Sequence, residues 1–521
     1  MARSAWWRCA DLLAAATARG PPLTRKARAV CPASSKHGKR QNMRAYIVAI
    51  ALVAGALLVC LRGGLSQLPP AADRSWTAAG CPSKILDFVR DMNATAEEQR
   101  AINAELQASA SSRKPRTAIV NMVSFHVEVV ASLAYHFSKL KHNVTVYTRD
   151  DQLGMQPVMY PFHWKGMRRF ERFFQSYGEF DTVVLATYPT CHEPLLRSLI
   201  SIGLAQRHLV VVHNPDQIEA GDALDTLAAA PVRVLAIAPH VAAAVARASR
   251  PARSVVSWFA PVFPAIMPED CTRGSWRARM PACDRRATWP GLARGTLPDQ
   301  PLGKPARRSG FCIQGKLDPA RRGYDAVFDE MRARKDELLA ANVSLSVIGR
   351  ITRQNAGQVG LPSDLVDAGL LRVHESLPFQ EYYEVLHGCL AVLPAFASDA
   401  YYFNKGSSTV GTALVSGTPV VATKRLLGAY SYLDRRSVYL VDGKNSPVDS
   451  MLHVARLPPA EHAATEAALR RLRVRLLRRN LVALCKLMGP GFSCPPRERL
   501  KTAKWSVAET TAFRGLPAGH A

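Results

Sequence analysis

Apolar positions in this chain cluster into short runs separated by turn residues and by longer stretches with helical spacing. Between Phe311 and Thr423 four such runs stand out: Phe311–Gln314, Leu345–Ile348, Leu390–Leu393 and Pro419–Ala422. Each meets a helix-length stretch or a glycine-containing turn, the alternation of a parallel α/β sheet. The same rhythm runs earlier. Thr117–Met122 reads as a strand, Val127–Leu140 as a helix and Asn143–Thr148 as a second strand. Thr182–Ala186, Leu209–Val212 and Val232–Ala236 supply three more apolar runs. The expected fold class is α/β, with two βα arrays in tandem.

Other stretches depart from that rhythm. Ala45–Leu61 is seventeen apolar residues without a charge, the lower limit for a membrane-spanning helix. Lys36, Lys39, Arg40 and Arg44 precede it, so the positive-inside bias predicts a signal anchor with a cytosolic N-terminus and the remainder in a lumen. Two alternatives stay open: a signal peptide if the chain starts at Met43, and an organelle transit peptide, since the preceding region is Arg-rich and nearly free of acids. Pro69-Pro70, a helical piece near Ala96–Ala108 and the polar run Ser109–Lys114 make residues 62–114 a stem. Residues 269–309, rich in Arg, Pro and Gly, read as an interdomain connection enlarged by an insertion. Leucines at 469, 472, 476, 477 and 481 make Glu466–Lys486 a basic amphipathic helix. The layout expected is therefore a tail (1–44), an anchor (45–61), a stem (62–114), a first domain (115–268), the connection (269–309), a second domain with the terminal helix (310–488) and a tail (489–521).

Composition narrows the function classes. The 521 residues, 48% apolar, suffice for two cored domains. The net charge of +27 is uneven: Met1–Arg44 holds ten Lys or Arg against Asp11 alone, and Arg470–Lys486 holds seven. A nucleic-acid binder is also basic, but no recognition motif accompanies the charge, so nucleic acid is not an expected partner. Sequons at Asn93, Asn143 and Asn342 fit a secretory lumen. Cys271 with Cys283, and Cys485 with Cys494, are close enough to pair in an oxidising compartment, with buried free thiols as the alternative. Nothing has zinc-ligand spacing.

Candidate chemistry gathers where strands end. Gly315 follows the Phe311–Gln314 run, with Lys316, Arg321 and Arg322 beyond it, and Gly349-Arg350 follows Leu345–Ile348. Ligands of such sheets lie beyond the carboxyl ends of strands, where glycines and cations suit a phosphate. Lys405, Ser407, Ser408 and Thr409 lead into a helix and could add free N–H groups to an anion site, or form an ordinary cap.

These residues resemble a family. Gly315-Lys316-Leu317 followed by Arg322-Gly323 is similar to the opening of the donor-binding domain of GT-B glycosyltransferases of the glycogen-synthase-like kind. Leu377–Pro394 and Ala413–Val421 resemble two further segments of that domain, so the likeness covers roughly residues 308–430. It implies two Rossmann-like domains facing a cleft, with the terminal helix returning to the first. It implies a nucleotide-sugar donor held at Gly315, Lys316, Arg322, Gly349, Lys405, Ser407, Ser408 and Thr409, with no other cofactor. One departure is plain: where the family places two glutamates, this chain has Asn404 and Thr412.

By position after the first strand, His126 is a candidate base, with a histidine that caps the helix or sits half buried as the alternative; Glu128 is its partner, an independent catalytic group or a helix-dipole acid. Tyr188–Glu193 and His213–Asp216 would line the same cleft. The chain lacks any D-x-D triplet, which fits metal-independent chemistry, and no metal site is expected. The expectation is a type II Golgi or ER membrane glycosyltransferase, anchored through its N-terminal helix. It would pass a sugar from a nucleotide-sugar donor to an acceptor hydroxyl on a glycan, glycoprotein or glycolipid. A non-catalytic glycan- or nucleotide-binding protein and an organelle-targeted phosphorylase or epimerase are the rivals.

Overall fold

The computed structural model describes residues 89–90, 96–97, 100–101, 103–104, 114–149, 151, 153–163, 165–175, 180–188, 192–217, 232–248, 256–265, 267, 310–350, 360–489, 492 and 494. The expected cytosolic tail, the span Ala45–Leu61, residues 269–309 with Cys271 and Cys283, and nearly all of 489–521 lie outside the described residues. Among the described residues no helix is long and apolar enough to cross a membrane.

The first lobe carries seven parallel strands: β1 (Arg116–Asn121), β2 (Asn143–Thr148), β3 (Met167–Arg169), β4 (Thr182–Leu185), β5 (Arg207–Val212), β6 (Val232–Ala236) and β7 (Val256–Trp258). Their order in the sheet is β3-β2-β1-β4-β5-β6-β7. β1 is buried on both faces after its first residue, as a central parallel strand must be when helices cover both sides. Its register against β2 runs from Arg116 opposite Asn143 to Asn121 opposite Thr148. The principal helices here are α1 (Val127–Lys139), α2 (Glu193–Ser201) and α3 (Pro239–Ala248).

The second lobe repeats the plan with β8 (Phe311–Gln314), β9 (Leu345–Gly349), β10 (Leu371–Glu375), β11 (Ala391–Val392), β12 (Val421–Ala422) and β13 (Tyr439–Leu440). The order β10-β9-β8-β11 continues through a parallel bridge between Val392 and Val420 to the β12-β13 pair. Both lobes thus follow the strand order 3-2-1-4-5-6 of a doubly wound sheet, in which the connections reverse direction between the first and fourth strands. In the first lobe that switch lies between β1 and β4, and in the second between β8 and β11. The helices that matter here are α4 (Tyr324–Ala333), α5 (Phe379–Gly388), α6 (Ala400–Phe403), α7 (Ser408–Ser416), α8 (Lys424–Ala429), α9 (Pro447–Ala455) and α10 (Pro459–Met488).

One apolar core runs through both lobes, including Phe137, Leu209 and Phe263 from the first with Tyr383, Val410 and Leu414 from the second. A smaller one lies under α4 and α9. The 30 residues of α10 rise about 45 Å at 1.5 Å each, enough to leave the second lobe and reach the first. Arg473 donates to the Val415 carbonyl of α7 (2.6 Å), and farther on Asn480 bonds both the N–H and the carbonyl of Ala260 (3.1 and 2.7 Å). Cys485 and Cys494 are joined as a disulfide, and so are Cys312 of β8 and Cys389 just after α5. Within the expected stem, Asn103 is buried and donates to the Ile202 carbonyl (2.7 Å), so this part lies against the first lobe.

Candidate active site

The first lobe's half of the site grows from the end of β1. Asn121 is fully buried, and its side-chain amide donates to the Phe125 carbonyl (2.8 Å) and the Val123 carbonyl (3.2 Å). These bonds pin the loop that delivers His126 in a left-handed conformation, φ 65°, which costs a non-glycine residue about 1 kcal/mol or more. The His126 ring stacks on His213 at 3.7 Å between centroids and 9° between planes. His213 follows β5 and donates from Nε2 to the Ala186 carbonyl (2.9 Å). His126 Nδ1 lies 3.2 Å from the Thr187 hydroxyl, just beyond β4. Residues after β1, β4 and β5 therefore meet at the switch point of the sheet.

The second lobe's half grows from β8. Gly315 adopts φ 137°, open to glycine. A Cβ on Gly349 would stand 2.0 Å from the Gly315 carbonyl oxygen, so a side chain there would push the β8 loop off β9. Both glycines thus let this loop close against the neighbouring strand. Arg321 and Arg322 end the loop. Arg322 is 2% exposed and donates to the Gln314 carbonyl (3.2 Å), the Arg321 carbonyl (3.0 Å) and the Thr409 hydroxyl (2.6 Å), with its guanidinium 5.5 Å from the Tyr401 ring centre. Arg321 is less buried and donates to the Tyr401 phenol of α6 (3.1 Å). Lys316 pairs with Asp318 at 3.6 Å and keeps a third of its side chain exposed.

A strap between α6 and α7 crosses to the first lobe. Asn404 donates to Asp216 (2.7 Å), His240 lies with Nε2 3.1 Å from the Lys405 carbonyl and Nδ1 3.0 Å from the Ala429 carbonyl, and the Gly406 N–H donates to the His213 carbonyl (3.0 Å). A Cβ on Gly406 would clash with the end of the Ile237 side chain, which would have to shift to admit it. Beside it, His240, Arg247, Tyr402, Phe403 and Arg425 line a cavity of about 330 Å³ between the lobes. Ser407 caps α7 by accepting from the Thr409 N–H (3.2 Å), the ordinary-cap alternative in the sequence. Ser408 sits half-buried in the first turn.

Electrostatics tie the halves together. Burial foremost, then His213 and the cations of Arg321 and Lys405, hold the His126 imidazole well below its ordinary pKa. Burial pushes the Glu128 carboxyl up, opposed by its own backbone N–H and by Arg321. Burial alone would raise the Tyr401 phenol, but Arg321, Arg322 and Lys405 outweigh it and lower its pKa. Lys405 Nζ lies 5.6 Å from the Tyr401 ring centre. His126 and Glu128 remain half-exposed, open to the junction while surrounded by protein atoms.

Of the residues expected from the sequence, the structure brings together His126, Glu128 and Lys405. It places Arg322, Thr409, Gly315 and Gly349 underneath as supports, and Lys316 against Asp318. Glu128 bears on Arg321 and on Tyr382 and Tyr383 of α5 rather than orienting His126. Tyr401, Asn121 and Thr187 were not singled out, and Arg321 was named only as one of the cations beyond β8. Gln314 is a further find: its Oε1 accepts from Tyr382 (2.8 Å), and its buried Nε2 has no partner among the described residues.

The fold defines the class: an α/β protein of two lobes, each built on a parallel, doubly wound sheet. No protein-family model and no curated protein matches the chain. Solved structures similar to it include Anabaena HepE in complex with UDP and glucose, at 12% identity and TM-score 0.45 over 71% of this chain and 99% of that one. A glycosyltransferase from Rickettsia africae aligns at 11% and 0.46 over 73% and 100%. A UDP-forming α,α-trehalose-phosphate synthase from Burkholderia xenovorans aligns at 11% and 0.42 over 71% and 99%.

Proposed function

We propose that this chain is a glycosyltransferase that moves a sugar from a nucleotide-sugar donor to an acceptor hydroxyl of a glycan, glycoprotein or glycolipid. The observation that carries this reading is the meeting of Arg321 and Lys405, from the second lobe, with His126, from the first, at the switch points of both sheets. A departing nucleoside diphosphate gathers negative charge, and fixed cations beside it stabilise the transition state. Arg321 and Lys405 supply that charge, so the reading needs no metal. Gln314 Nε2, buried at the end of β8 and without a partner among the described residues, is a further candidate donor. His126, held neutral, is the group able to accept a proton.

Titration of the purified protein with UDP and GDP tests the cradle. Arg321→Ala and Lys405→Ala should each weaken binding about tenfold, the worth of one charge-assisted contact. Unchanged affinity in both variants would remove the cradle. Binding without release of nucleotide from any donor sugar would favour the non-catalytic reading. That alternative draws on Asn404, bonded to Asp216 where the family carries a carboxylate, and on Thr412, whose hydroxyl bonds back to the Ser408 carbonyl (2.9 Å).

The site of action we propose is the lumen of the Golgi or ER, with the chain anchored by Ala45–Leu61. Asn342 is exposed in a turn, whereas Asn143 begins a strand and its side chain is bonded by Lys165. In secreting cells, glycosidase treatment should therefore shift the wild-type band, Asn342→Gln should reduce that shift, and Asn93→Gln with Asn342→Gln should abolish most of it. A band that never carries glycan would count against the lumenal assignment.

A further inference from the structure

The hydrogen bonds around Asn121 leave one arrangement of protons. Carbonyl oxygens only accept, so the NH₂ side of the Asn121 amide faces Val123 and Phe125, and both of its hydrogens are committed there. Its Oδ1 therefore faces the Thr187 hydroxyl at 3.1 Å, and an amide oxygen only accepts. The single Thr187 proton must point at Asn121. What remains on Thr187 Oγ1 is lone pairs, and 3.2 Å away sits His126 Nδ1. That nitrogen must donate, so the neutral ring carries its proton on Nδ1 and leaves Nε2 bare. Next to it, His213 donates from Nε2 to the Ala186 carbonyl and holds the opposite tautomer. The stacked rings are thus a neutral pair whose protons are assigned by Asn121, Thr187 and Ala186.

We propose that Asn121 and Thr187 are positioning residues that lock His126 in the Nδ1–H tautomer, leaving Nε2 as the acceptor for the proton of an incoming hydroxyl. The acceptor role rests on the glycosyltransferase reading. The tautomer itself does not. In the transfer, the acceptor O–H bond breaks and its proton moves to Nε2. The freed oxygen pair forms the new bond to the anomeric carbon, and the bond from that carbon to the diphosphate breaks with its electrons leaving on the phosphate oxygen. The groups that bear on the ring are His213 from the first lobe and Arg321 and Lys405 from the second; Glu128, two residues on in the chain, bears on Arg321. The two cations disfavour a second proton at rest. The lock matters because a base with the wrong nitrogen protonated is ineffective however well it is placed.

Thr187 is buried and comes from a different strand than the histidine it orients, so valine can replace it with little change in volume. The experiment is ¹⁵N NMR of the full chain labelled at histidine, with the His126 signals assigned by their loss in His126→Gln. Wild type should show a protonated Nδ1 and a bare Nε2. Thr187→Val should move His126 toward the Nε2–H form and lower turnover about 100-fold, with the donor KM unchanged, and Thr187→Ser should restore both. A wild-type ring protonated on Nε2, or a Thr187→Val protein with the wild-type nitrogen pattern, would overturn the lock. If no nucleotide sugar is ever turned over, the functional reading fails, while the nitrogen pattern still decides the tautomer.

Discussion

Adjacent arginines divide the labour of the second lobe. Arg322 turns inward, stacks within 5.2 Å of the Phe396 ring centre and donates to two carbonyls and a hydroxyl. Burial lowers its pKa, though a guanidinium stays charged throughout the accessible range. Removing it strands those acceptors and opens a hole beside the Gly315 turn. Arg322→Ala should therefore destabilise the fold by roughly 2–4 kcal/mol. Lys316→Ala, which loses only a half-exposed ion pair, should change stability by less than about 1 kcal/mol. Urea denaturation of both proteins reads the contrast, and equal midpoints would mean that Arg322 is not a structural post. Nucleotide binding in Arg322→Ala would then fall only as far as the loop unfolds, unlike the direct loss expected for Arg321→Ala.

At the scale of elements, the interior strands were legible and the edges were not. Asn143–Thr148, Val232–Ala236 and Phe311–Gln314 coincide with the strands read from the sequence; β8 is buried at every position and β6 at all but Arg233, as a parallel strand covered on both faces requires. The four strands without a sequence signal are β3, β7, β10 and β13, and these are the edges of the two sheets. β3 is Met-Arg-Arg with both arginines exposed, and β10 is buried only at Leu371, with Arg372 and Glu375 exposed. An edge strand needs no continuous apolar run, and a charged one resists pairing with other chains. The terminal helix was visible as a leucine stripe, but its first turns were not, since Pro459–Thr465 face mostly solvent. The strap at Asn404–Gly406 was hidden for a different reason. Its importance lies in partners at positions 213, 216 and 240, far away in the chain, and in the close approach of Gly406 to the Ile237 side chain.

Across the whole molecule, the first lobe is unusually committed to neutral histidine. Burial brings His136, His192, His208 and His213 each down to about 4. Their folded pKa lies below the unfolded value of 6.5, so the unfolded chain binds more protons between those limits. Stability is then fully present above pH 6.5 and lost as pH falls toward 4, by roughly 1 kcal/mol per histidine per pH unit. Urea midpoints taken at about pH 7.5 and about pH 5.5 should show a marked fall. A midpoint that holds steady would mean that these rings find solvent or a counter-charge.

The amino-acid order alone determined the two parallel sheets, their central strands, the helix after β1 and the strand ends at which chemistry would be found. These follow from local patterns: burial on two faces, turn residues and helical spacing. Only the tertiary structure decided which side chains share the site. It buried Arg322 and left Arg321 less buried, brought His213 onto His126, and let Asn121 and Thr187 settle a proton on one nitrogen. Those outcomes depend on contacts between residues distant in the chain, which a linear pattern does not encode.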